Sequence, residues 1–279
     1  MFNALLASAA LAIACAVLSL FVVARHWAFI GEGVSHSGFG GAGTAWLLAL
    51  LLPGLDRPWV VYAAVVVFCV LTALAIGALS RGQRVTSDAA IGIFLVASLA
   101  WGFLGQRAYY HVNRALPEGF NTLLFGEARG IGAAYAVLAT AVCIAVILTV
   151  FALRKEIIAY CFDPMLAETS GVRAGFVHYL LMVLLALVIV AGVRVAGSVL
   201  VTALLVLPGA AAMLLSERLN VATAISIALA LLAAVGGMLV SLRWPFVPAG
   251  CAIVLLLFVL FLACYAVSKV SRSLAPAAE

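Results

Sequence analysis

Residues 249–267 read AGCAIVLLLFVLFLACYAV, nineteen positions without an Asp, Glu, Lys, Arg or His. As a helix the run is about 28 Å long, close to the roughly 30 Å of bilayer hydrocarbon. It is continuously apolar rather than alternating, which predicts a membrane helix and not a barrel strand. Eight similar runs precede it, near Leu5–Ala24, Val34–Leu52, Trp59–Leu79, Ala89–Leu104, Ile131–Phe151, Ala174–Val193, Gly197–Leu215 and Val221–Val240. Of the 279 residues 67% are hydrophobic and 9% charged, against about 25% charged in a soluble domain. The expected fold class is an all-α polytopic membrane protein with about eight to nine transmembrane helices. Residues 1–272 are expected to form a single transmembrane domain and 273–279 a short C-terminal tail. Because the fourth run is short, eight spans with one re-entrant element fit nearly as well.

The first 24 residues lack a basic leading segment and a small-residue cleavage site, so they read as a retained span. The net charge of +5 has no dense Lys/Arg stripe behind it and excludes a nucleic-acid footprint. Six cysteines form no CxxC pair, and five sit in apolar runs, where they read as small buried hydrophobes. No P-loop is present, so the chain does not hydrolyse a nucleotide through one, and no haem, flavin or nicotinamide motif occurs.

Orientation follows from the basic residues. With the N-terminus outside, nine Lys/Arg fall in cytoplasmic connections: Arg25, Arg81, Arg84, Arg154, Lys155, Arg173, Arg218, Lys269 and Arg272. Six fall outside: Arg57, Arg107, Arg114, Arg129, Arg194 and Arg243. The excess favours this topology.

At the head of the second run stands Gly31-Glu32-Gly33-Val34-Ser35-His36-Ser37-Gly38-Phe39-Gly40-Gly41. In a helix Glu32 and His36 share one face, one turn apart. Ionisable groups in a span are costly and mark function, and a carboxylate with an imidazole suits zinc, manganese or ferrous iron. The pair therefore reads as a cation's transient ligands. The alternative is that Glu32 pairs with Arg25 and His36 with a nearby carbonyl, because hydropathy puts Glu32 near the cytoplasmic end of its span. Asp88 reads as the N-cap of the fourth helix, or as a group beside the ion path. His26 reads as an interfacial contact, His111 as a loop residue within reach of an arriving ion, and His178 as a helix–helix hydrogen bond.

Two connections are long. Gly105–Gly130 is external and carries Tyr109, Tyr110, His111, Asn113, Pro117 and Glu118. It reads as an interfacial loop or a docking surface. In cytoplasmic Arg154–Arg173, Asp163 reads as an N-cap, Pro164 as the first helical residue and Gly171 as the terminator. So short a helix needs something to pack against, and Phe162, Met165 and Leu166 are available for contact. Further on, Arg194–Gly197 turns a hairpin. Pro208 kinks or breaks the following span, as in a gated pathway or as a packing feature alone.

Taken in order, these motifs resemble the permease subunit of the metal-uptake ABC transporters of the zinc/manganese/iron type. The resemblance rests on Gly31–Ser37, Asp88–Ile93, Leu124-Phe125-Gly126, Phe162-Asp163-Pro164 with Ser170-Gly171-Val172, and Gly197–Pro208 with Ala210–Ala212. It implies a multi-pass protein of a bacterial cytoplasmic membrane, embedded in lipid, that moves a divalent metal as metal-contacting Glu32 and His36 pass it on. It also implies a homodimeric pore, an extracytoplasmic metal-binding protein and a cytoplasmic ATP-binding subunit. ATP then sits on that partner, this chain is no enzyme, and it binds no cofactor of its own. The helix around Phe162, Asp163, Pro164, Met165, Leu166, Glu168, Ser170 and Gly171 becomes the coupling helix that contacts the ATPase. Asp88 and Pro208 become pathway or gating positions. Where the family has Asp before the histidine, this chain has Glu32, whose longer arm changes reach. A secondary carrier driven by an ion gradient is the alternative. A serine hydrolase is disfavoured, because Ser35 and Ser37 cannot readily face the adjacent His36 on a helix.

Overall fold

The computed structural model describes residues 2–52, 57–81, 85–114, 132–244 and 246–274. They form eleven helices and no strand. In order these are α1 (Phe2–Ala24), α2 (Ile30–Leu51), α3 (Pro58–Arg81), α4 (Ser87–Asn113) and α5 (Ala133–Ala152), then α6 (Arg154–Phe162) and α7 (Pro164–Thr169), then α8 (Ala174–Ala196), α9 (Ser198–Leu215), α10 (Leu219–Arg243) and α11 (Ala249–Leu274). Leu124-Phe125-Gly126, Pro117, Glu118, Arg84, Arg129 and the tail beyond 274 lie outside the described residues.

Eight of these helices are long and apolar enough to cross a membrane, and α2 is the ninth long one. Its 22 residues reach about 33 Å. Fourteen of them are buried, so α2 meets protein rather than lipid and tolerates its glycines, serines and two ionisable groups. It packs between α3 and α4. The approach is close because Cβ atoms are missing: one added at Gly41 would stand 2.8 Å from Ala64 O and Val65 Cα. Small residues that let backbones touch drive helix association in lipid, where burial from water contributes little.

One apolar core draws on every helix except α7. α1 and α8 run through its centre, whereas α11 is mostly exposed. α4 corrects the expected short span Ala89–Leu104. It has 27 residues and ends only when Arg114 adopts φ 56°. Hydropathy registers its apolar middle, while the helix continues through Tyr109, Tyr110 and His111, the first part of the expected external loop. Sequence reading also missed α6, which restarts after Leu153 and buries Ile157, Tyr160 and Cys161 on one face.

Asp88 is not the cap of α4. Thr86 is: its hydroxyl accepts from Ala89 N at 3.3 Å, and Asp88 sits exposed in the first turn. There it complements the positive end of the helix dipole.

Candidate metal site

The site is built from the turn that starts α2. After α1 the chain folds inward, with His26 at φ 56° and Trp27 only 2% exposed. Trp27 N–H donates to Val22 O at 2.9 Å and Ile30 N–H to Trp27 O at 3.0 Å. A polar cluster braces this turn. Arg25 donates to the Tyr160 hydroxyl at 3.2 Å and stacks over its ring. Tyr160 OH lies 2.6 Å from His178 Nδ1, and His178 Nε2 lies 2.9 Å from Gly77 O. A carbonyl can only accept, so Nε2 carries the proton and Nδ1 accepts from Tyr160. Burial pushes the Tyr160 hydroxyl up, against the pull of Arg25, and keeps that donor protonated. His178 is thus the helix–helix hydrogen bond that the sequence suggested. Beside it, burial holds the Cys161 thiol at about 12, so that cysteine is inert.

Because of this inward turn, α2 begins deep in the protein. Cys69, the twelfth of 24 residues in α3, donates its thiol to Val34 O at 3.3 Å, with the Ser37 hydroxyl oxygen 3.4 Å from its sulfur. Gly31 lies against Thr202, the fifth residue of α9. Glu32 therefore sits where α2 touches α9, with its neighbour Gly33 against Ile91 in the first turns of α4.

Glu32 and His36 meet directly, Oε1 to Nε2 at 2.6 Å, with His36 25% and Glu32 33% exposed. Glu32 does not pair with Arg25, which is engaged by Tyr160. The second carboxylate oxygen lies 3.2 Å from the Thr202 hydroxyl. Sequence reading missed Thr202 as a member of the site; the carboxylate and the threonine are 170 positions apart, and only packing joins them. His36 opens onto a small cleft of about 40 Å³ shared with Ser35, Tyr62, Val190, Val193 and Ser198. Those last four come from the ends of α3, α8 and α9 that are external in the expected topology. Among the described residues no group of three or more His, Cys, Asp or Glu occurs, so a metal held here would have two side-chain ligands from this pair.

The other predicted residues lie apart. Asp88 is exposed at the start of α4, and His111 is exposed near its end. Pro208 is buried inside an unbroken α9. Beside it Ser19 of α1 donates to Val206 O at 3.4 Å and accepts from Gly209 N at 2.8 Å, tying α1 to α9. The Ser35 and Ser37 hydroxyls donate to Glu32 O and Val34 O, not to His36.

The short helix expected in the cytoplasmic connection is present as α7. Asp163 Oδ1 accepts from Met165 N at 2.9 Å and Leu166 N at 3.0 Å, with Pro164 in the first turn. Gly171 at φ 84° ends it, and Val172 N–H closes on Ala167 O at 3.0 Å. Ala167 faces inward, whereas Phe162, Met165 and Leu166 are 69%, 80% and 66% exposed. Pro164 and Glu168 border a polar cavity shared with Arg25, Arg81, Tyr160 and His178.

The model of the ABC 3 transport family matches residues 1–268. The chain belongs to that family. It is a multi-pass membrane permease of the ABC type. A manganese transport system membrane protein, MntC of Halalkalibacterium halodurans, is 31% identical over 270 residues, covering 93% of this chain and 84% of that protein. The chelated iron transport system membrane protein YfeD of Yersinia pestis is 29% identical over 256 residues, 91% and 81% of the two chains. A solved structure, PsaBC from Streptococcus pneumoniae in complex with Fab, superposes with TM-score 0.77 at 28% identity over 94% of this chain and 90% of that one. This chain is the membrane subunit and not itself an ATPase.

Proposed function

We propose that this permease carries a divalent transition metal, manganese or ferrous iron, into a bacterial cell by way of Glu32 and His36. One observation carries the reading: a carboxylate and an imidazole in 2.6 Å contact, both partly exposed, with His36 lining a cleft. The names of the relatives, manganese and iron transport proteins, support the metal class. An external metal-binding protein delivers the ion, a second copy of the permease completes the pore, and a cytoplasmic ATPase docks on the apolar face of α7. Asp88 and Pro208 act on the path only indirectly, through α4 and α9. In proteoliposomes holding the permease and its ATPase, Glu32→Ala and His36→Ala each lower ATP-dependent manganese or iron uptake while the complex stays assembled. Normal uptake by both variants refutes ligation, and uptake without any ATPase refutes the coupling.

A further inference from the structure

The Glu32 carboxylate has two ends in different surroundings. Oε1 faces His36, and a metal seated between carboxylate and imidazole takes that oxygen. Oε2 lies 3.2 Å from Thr202 Oγ1. The Thr202 hydroxyl has one proton and a second acceptor, Ser198 O, also at 3.2 Å. An ionised carboxylate is the stronger acceptor, because charge-assisted hydrogen bonds are roughly twice as strong as neutral ones. The contact is built into the helix pair. A Cβ at Gly31 would stand 3.1 Å from both Thr202 Cα and Thr202 Oγ1, so it is the bare Gly31 backbone that brings the hydroxyl within reach of the neighbouring carboxylate.

We infer that Thr202 is a specificity-determining residue: by holding Oε2 it confines Glu32 to one-oxygen ligation. This rests on Glu32 and His36 being the transient ligands. The consequence is chemical. Calcium takes six to eight oxygens, often from a bidentate carboxylate. A single carboxylate oxygen beside an imidazole offers it little, whereas manganese and iron accept mixed nitrogen and oxygen donors. One-oxygen ligation also loosens the site, which speeds release to the next position on the path.

The test uses Thr202→Val, which keeps the shape and the methyl group beside Gly31, and Thr202→Ser, which keeps the hydroxyl. Equilibrium binding of Mn²⁺ and Ca²⁺ to the assembled transporter is measured together with KM and kcat for Mn²⁺ uptake. In Thr202→Val, Oε2 is free to chelate. Mn²⁺ binds about tenfold tighter, the scale of one competing hydrogen bond to a charged group. KM and kcat fall together, Ca²⁺ becomes a competitor, and Thr202→Ser restores wild-type values. Thr202→Ala moves in the same direction, should the valine variant assemble poorly. A merely structural threonine, or one that is itself a ligand, gives weaker Mn²⁺ binding and a higher KM. Either that result or unchanged values overturns the inference. Glu32→Ala and His36→Ala in the same binding assay separate the failures. Full Mn²⁺ binding by both sinks the ligand reading itself. Lost binding in both, with Thr202→Val binding no tighter than wild type, sinks only the role of Thr202.

Discussion

The double substitution Met165→Ala and Leu166→Ala tests the proposed docking surface most directly. Asp163 and Gly171 cap α7 at either end, and alanine is the best helix former, so the helix survives the change. Burying a Leu or Met side chain completely contributes about 1.5–3 kcal/mol. In the isolated chain Met165 is 80% and Leu166 66% exposed. A docked ATPase covering them therefore gains about 1–2 kcal/mol from each. Truncating both to Cβ removes roughly 2–4 kcal/mol, which weakens the dissociation constant by about thirtyfold to several hundredfold. The assay is titration of the purified ATPase subunit onto detergent-solubilised permease, with Mn²⁺ binding to the permease as the control for an intact site. An ATPase Kd within threefold of wild type, with Mn²⁺ binding preserved, would refute the docking role of α7.

Other substitutions probe the frame. Gly105→Ala puts a Cβ 2.4 Å from Gly43 O and 2.6 Å from Gly43 Cα, backbone that cannot move aside; overpacking of this kind costs about 1–3 kcal/mol and lowers the thermal midpoint in detergent, whereas Gly92→Ala, with nothing within 4 Å, raises it, helix propensity contributing up to about 1 kcal/mol. Tyr160→Phe strips His178 Nδ1 of its donor where His178 is 3% exposed, a loss of about 1–3 kcal/mol that protease susceptibility detects. Thr86→Ala removes the cap of α4 and costs about 1 kcal/mol, more than Asp88→Ala, which loses only a dipole contact of a few tenths to 1 kcal/mol; the same midpoint measurement ranks the two.

The amino-acid sequence by itself determined what depends on neighbours along the chain. The apolar runs define the spans, since a bilayer demands only length and apolarity of a segment. The helix at Pro164–Thr169 was legible with its cap and terminator, because Asp163, Pro164 and Gly171 act within a few residues of one another. Glu32 and His36 were legible as a pair, because helical spacing alone puts them together. The tertiary structure decided what depends on packing between distant segments. It folded the turn before α2 inward onto Tyr160 and His178, which hydropathy registers only as a polar gap. It extended α4 beyond its apolar stretch, and it hid a glycine-rich α2 between α3 and α4, where low apolarity is tolerated. It also brought Thr202 to the second oxygen of Glu32. No local pattern announces that contact, because it exists only where the bare backbone of Gly31 lets α2 and α9 touch.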